Sequence, residues 1–120
     1  MSTFHVEFAR EFHFGDDAVL VAVDGAGAAL FAAALKDAET QGHSQLEHGG
    51  VTHEIRLEAD AAAVELHDGR VVWRLDREKL TEIVDDLDVL VSTDRPGHHY
   101  VDITEPAETL VLSRDEYVHP

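Results

Sequence analysis

Residues 96–102 read Pro-Gly-His-His-Tyr-Val-Asp, in a chain with nine histidines and no cysteine. Adjacent histidines close to an aspartate admit three kinds of chemistry: metal ligation, acid–base catalysis, or the polar margin of a sheet. Strand geometry decides among them locally. Neighbouring side chains of a strand point to opposite faces, so His98, Tyr100 and Asp102 are expected on one face and His99, Val101 and Ile103 on the other. His98 and Asp102 would then lie roughly 13 Å apart at about 3.3 Å per residue. Zinc ligands sit about 2 Å from their metal, so this stretch cannot build a metal site alone. A helix would bring His98 and Asp102 together, but Gly97 and the β-branched and aromatic content favour a strand.

A second stretch, GHSQLEH at 42–48, carries His43 and Glu47 at the same spacing. If the two strands were antiparallel neighbours, His43 would face Asp102 and His98 would face Glu47. Each contact would be a cross-strand acid–histidine pair that helps fix register. The four together could hold a metal, which gives one enzymatic reading, a small metal-dependent hydrolase. His48, His53 and His99 fall on the inward phase of their segments, where a lone histidine is ordinarily satisfied by a hydrogen bond at a sheet end. His5, His13, His67 and His119 have no supporting constellation.

Other catalytic signatures are missing. The chain has no G-x-S-x-G, P-loop, H-E-x-x-H or G-x-G-x-x-G. Gly25-Ala26-Gly27 opens a helix after a strand but lacks the later glycine and the lysine of a phosphate loop, so close helix packing explains it better. Ser2, Ser44, Ser92 and Ser113 stand in no nucleophile context. No catalytic residue, cofactor or resident metal is expected.

Charge is the loudest feature. There are 25 acidic residues against 9 basic ones, a formal charge of −16. Such a surface repels nucleic acids and anionic membranes. It suits either a basic protein partner or a proteome adapted to salt, where the charge serves solubility. The run VDDLDVL at 84–90 is either the wet face of an amphipathic helix or a docking face for a cationic protein. The N-terminus lacks the basic and apolar regions of a signal peptide, and the longest apolar segment, AALFAAAL at 28–35, is too short to span a bilayer. A single cytoplasmic domain is expected.

The elements that must position these residues can be read in turn. Asp68-Gly69 within AVELHDGRVVWRLD is a two-residue hairpin signal. It pairs Val64 with Trp73 and Leu66 with Val71, and puts Val64, Leu66, Val71, Trp73 and Leu75 on a dry face. Glu65, His67, Val72 and Arg74 fall on the other. Asp76 is a good helix cap. Leu80, Ile83, Val84, Leu87 and Val91 then recur at helical spacing, with Glu78, Glu82, Asp85, Asp86 and Asp88 opposite. Pro96 and Gly97 end that helix. Strands are expected at 98–103 and 109–113.

The first half follows the same order. A turn at Gly15-Asp16-Asp17 precedes a strand. Asp24 caps a helix with Leu30, Phe31, Ala34, Leu35 and Ala38 on one stripe, and GHSQLEH and THEIRLEA follow as strands. The chain therefore reads as an internal ββαββ pseudo-repeat, residues 4–59 and 60–115. The expected fold is α+β in two layers: a mainly antiparallel sheet of about seven or eight strands with two helices on one face. The tail RDEYVHP is expected to fray.

One resemblance adds to this. The acidic helix, then GHHYVDI, a turn and ETLVLSRDEY, mainly residues 76–117, resembles the small α+β immunity proteins of bacterial polymorphic toxin systems. The resemblance implies a protein that binds and neutralises a cognate toxin without catalysis, and it carries over no set of functional residues. The leading expectation is a non-catalytic, immunity-like acidic protein that masks a basic partner. Its candidate contacts are Glu82, Asp85, Asp86 and Asp88 on the helix and His98, Tyr100 and Asp102 on the strand.

Overall fold

Asp24 and Asp76 do the same work in the two halves of the chain. In a computed structural model describing residues 2–116, the Asp24 carboxylate accepts from the Gly27 N–H and that of Asp76 from the Lys79 N–H, both at 2.7 Å. Each satisfies a donor that a helix start leaves free. The helices that follow are α1, Gly25–Gln41, and α2, Arg77–Ser92. Gly42 ends α1 in the left-handed conformation (φ 88°) that glycine adopts without strain. At the end of α2 the Arg114 guanidinium takes over, donating to the carbonyls of Leu90, at 2.6 Å, and Thr93.

The helices also match turn for turn in what they bury. Ala28, Phe31, Ala32, Leu35 and Ala38 of α1 correspond to Leu80, Ile83, Val84, Leu87 and Leu90 of α2, and all are buried. Two expected stripe positions differ: Leu30 is 40% and Val91 39% exposed. One residue is a 100° rotation on a helix, so Leu90 rather than Val91 completes the last turn of the α2 stripe. No helix among the described residues is long and apolar enough to cross a membrane.

The strands are β1 Phe4–His13, β2 Asp16–Val23, β3 His43–His48, β4 Val51–Leu57, β5 Ala62–His67, β6 Arg70–Leu75, β7 Gly97–Asp102 and β8 Thr109–Arg114. The fold is α+β, but the single sheet expected from the sequence is replaced by two four-stranded mixed sheets, β1–β2–β8–β7 and β3–β4–β6–β5. The reason lies in the partners of the hairpins. β2 pairs in parallel with β8, Val21 opposite Leu112, and β4 pairs in parallel with β6, Ile55 opposite Trp73. Each half thus gives one hairpin to each sheet. Exchanging β1–β4 for β5–β8 interconverts the two strand orders. The edge of β5 meets the chain after β7, where the Val64 N–H donates to Glu105 O (2.9 Å) and the Thr104 N–H to Ala62 O (2.8 Å).

One core is fed by both sheets and both helices. Trp73, Phe31, Leu35, Leu75, Leu80, Ile83, Leu87 and Leu110 are all fully buried within it. The Asp68-Gly69 hairpin has the expected register, Val64 opposite Trp73 and Leu66 opposite Val71. Val72, expected on the wet face, is buried all the same. Its partners in register are Glu54 and Glu65, and these pair with Arg70 and Arg74 on the same face. The aliphatic stems of the four long side chains cover the valine. A smaller cluster, Ala18, Leu20 and Val111 with Ala9 and Phe12, occupies the outer face of the other sheet.

Candidate functional site

Strand β7 alternates as its sequence requires. Val101 is buried, His99 is half-buried and turned toward α2, and His98, Tyr100 and Asp102 are exposed on the opposite face. β7 is an edge strand whose only ladder among the described residues is with β8, pairing His98 with Ser113 and Asp102 with Thr109. β3 is an edge strand too, but of the other sheet, and there His43 stands opposite Arg56 and Glu47 opposite Thr52. The two strands are equivalent in topology and are not neighbours. His43, Glu47, His98 and Asp102 therefore do not converge, and the metal-hydrolase reading loses its ligand set. Among the described residues no group of three or more histidines and carboxylates is placed to hold a metal ion.

His98 finds a different acid. Its Nδ1 lies 3.1 Å from both oxygens of Glu116. The buried Ser113 hydroxyl donates to the same carboxylate at 2.6 Å. Burial acts to raise the Glu116 pKa, but the Ser113 and His98 bonds outweigh it and hold the group below the usual carboxylate range. This Ser–Glu–His order is not that of a nucleophile relay. The acid sits between the other two, so the serine hydroxyl meets a carboxylate rather than an imidazole, and Ser113 is itself fully buried.

The acidic residues of α2 divide. Glu82, Asp85 and Asp88 are exposed. Glu82 pairs with Lys79 at 2.9 Å and Asp88 with Lys36 at 3.3 Å. Asp86 is half-buried and lies 3.6 Å from Nδ1 of His99. Burial raises its pKa, His99 opposes the rise, and the charges of Glu82 and Asp85 add to it. Asp86 thus joins α2 to the inner face of β7. The other candidates form two surfaces, the helix carboxylates on one side of β7 and His98, Tyr100 and Asp102 on the other.

A third contribution has no counterpart in the sequence reading. His13, at the end of β1, lies with its ring centroid 4.4 Å from that of Tyr100. β1 and β7 are opposite edges of one sheet, which at about 4.8 Å per strand should be roughly 14 Å apart. The contact exists because β1 slips register between Ala9 and His13 and bends at Glu11, which adopts a positive φ of 53° and donates its N–H to Asp17 at 2.9 Å. The end of the strand crosses the outer face of the sheet. Phe12 packs over Leu20 and Val111, and Phe14 projects into solvent, 89% exposed. The visible signal was Phe12 and Phe14 continuing the even-numbered phase of Phe4, Val6 and Phe8. A bulge reverses that phase and sends them outward.

The inward histidines are structural. His53 is 1% exposed, lies against Phe4 with ring centroids 4.3 Å apart, and accepts from the Trp73 indole N–H at 3.3 Å. Its proton therefore sits on Nε2. Burial, with a smaller push from His48, lowers its pKa to about 4. His48 is within 2.9 Å of the Ser2 hydroxyl, so both rings help seat the start of the chain. His119 and the end of the tail lie outside the described residues. Comparison of the chain with family models, with curated proteins and with solved structures finds no match.

Proposed function

We propose that the chain is a non-catalytic, cytoplasmic, immunity-like protein that masks a basic protein partner around the β7 edge. One observation carries this reading. Tyr100 stands 49% exposed on an edge strand, with Asp102 on its own face and the α2 carboxylates beyond the edge. Amphipathic aromatic rings bordered by polar groups are the usual anchors of protein interfaces. Charge supports it as well. Seven of the nine lysines and arginines already pair with carboxylates of the chain itself, which leaves most of the 25 acids to face outward. Such a field speeds the encounter with a cationic protein.

The test is binding to a basic toxin domain encoded beside the gene, followed by surface plasmon resonance at two salt concentrations. Neutralising Glu82, Asp85 and Asp88 to their amides should slow association about ten-fold at low salt and less at high salt. An unchanged association rate would show that the helix face is only solvated surface. Tyr100→Ala should act on dissociation instead, because an anchor operates after encounter.

A further inference from the structure

We propose that the outer face of the sheet β1–β2–β8–β7 holds an arginine-binding cradle, formed where the bent end of β1 meets β7. The inference rests on the basic-partner reading above and specifies the side chain that docks. Tyr100 is the floor. His13 flanks it at 4.4 Å and His98 at 5.1 Å, both tilted by about half a right angle (53° and 50°). Phe14 extends the aromatic surface, meeting His13 edge-on at 4.7 Å and standing 89% exposed. Two carboxylates border the rings, the exposed Asp102 on the face of Tyr100 and Glu116, which is already bonded to Ser113 and His98.

An exposed phenylalanine and a half-exposed tyrosine at one place are unusual on a surface this polar. Their π faces carry negative charge density, and with carboxylates at the rim they favour a cation. A guanidinium fits better than an ammonium. It is flat, stacks on rings, sheds water more easily and offers a fork of donors to carboxylates. A second copy of the chain is the wrong occupant, since each copy carries a formal charge of −16. Nucleic acid is excluded by the same field.

The experiment uses the full chain, isotope-labelled, titrated in low salt with two synthetic peptides of equal length and charge, one built on arginine and one on lysine. The arginine peptide should bind more tightly than the lysine peptide, by about two-fold or more, because only the guanidinium both stacks flat on the rings and forks onto carboxylates. The largest shifts should fall on the rings of Tyr100, Phe14 and His13. A variant carrying Phe14→Ser and Tyr100→Ser should lose the preference while keeping its amide spectrum, and Tyr100→Phe should retain it. Equal binding of both peptides, with shifts centred on Glu82, Asp85 and Asp88, would overturn the cradle and leave the basic-partner reading standing. Failure of both peptides to bind would overturn the two together.

Discussion

On the outer face of the sheet β3–β4–β6–β5, Arg70 reaches Glu54, Arg74 spans Glu58 and Glu65, and Arg56 also leans on Glu54. On the outer face of β1–β2–β8–β7 the central positions are Ala18, Leu20 and Val111, with Phe12 over them. Strand order is the same, yet one face is closed by a lattice of charge and the other by a fold of the chain. The arginine bonds hold Glu54 and Glu65 below the ordinary carboxylate range, and Glu65 in turn raises Arg74. The lattice therefore consumes cations that an acidic chain has few of, and its charges already have partners. The folded-over face spends no cation and leaves Tyr100, Phe14 and Asp102 exposed.

If that contrast is right, the two faces should respond differently to the same insult. Leu20→Ala should cost about 3 kcal/mol, because the overhanging strand cannot collapse into the gap. Val72→Ala, beneath mobile arginine stems, should cost only about 1 kcal/mol. Urea unfolding at neutral pH measures both, and equal costs per carbon removed would erase the distinction.

The inner faces differ at one equivalent pair. His53 stands opposite Val71 where Leu110 stands opposite Val19. A histidine whose folded pKa is about 4, against about 6.5 when unfolded, takes up its proton only on unfolding between those values. Stability is then lost as pH falls through that window, by about 2 kcal/mol from this group between pH 7 and pH 5. His53→Leu, which copies the other sheet, should flatten that part of the stability profile even if it lowers stability throughout. An undiminished slope would place the acid sensitivity elsewhere.

Salt gives a smaller effect. Arg74→Gln should lower the thermal midpoint slightly in low salt, with the difference fading as potassium chloride screens the lattice. Asp102→Asn should shift it the other way, since it removes one negative charge from a chain of formal charge −16. A chain adapted to concentrated salt would instead keep gaining stability above about 1 M, beyond the range of simple screening. Smallest of all, Phe14→Ser should change unfolding by less than about 0.5 kcal/mol, as exposed positions do. A larger loss would mean that Phe14 supports the fold rather than a partner.

What could be read in the sequence was local. Asp68-Gly69 sets its own register, Asp24 and Asp76 cap whatever helix follows them, and β7 alternates because any strand must. The pairing of β2 with β8 and of β4 with β6 depends on segments far apart in the chain, and no short pattern encodes it. The same holds for the candidate site. Tyr100 could be placed on an outward face from its neighbours alone, while His13 reaches it only through a bulge that the continued even-numbered phase of Phe12 and Phe14 conceals. Asp86 looked equivalent to Asp85 and Asp88 until β7 stood beside it.

The crossed pairing has a consequence for how the chain acquires its structure. Neither sheet can be completed from one half, because β1 and β2 await β8 and β7, and β5 and β6 need β4 and β3. On a ribosome the first hairpin is made early and finds its neighbour only after β8 has emerged. Contacts of such long sequence separation slow folding. They also allow the later strands of one molecule to complete the sheets of another, so an exchanged dimer is the natural by-product of refolding at high concentration.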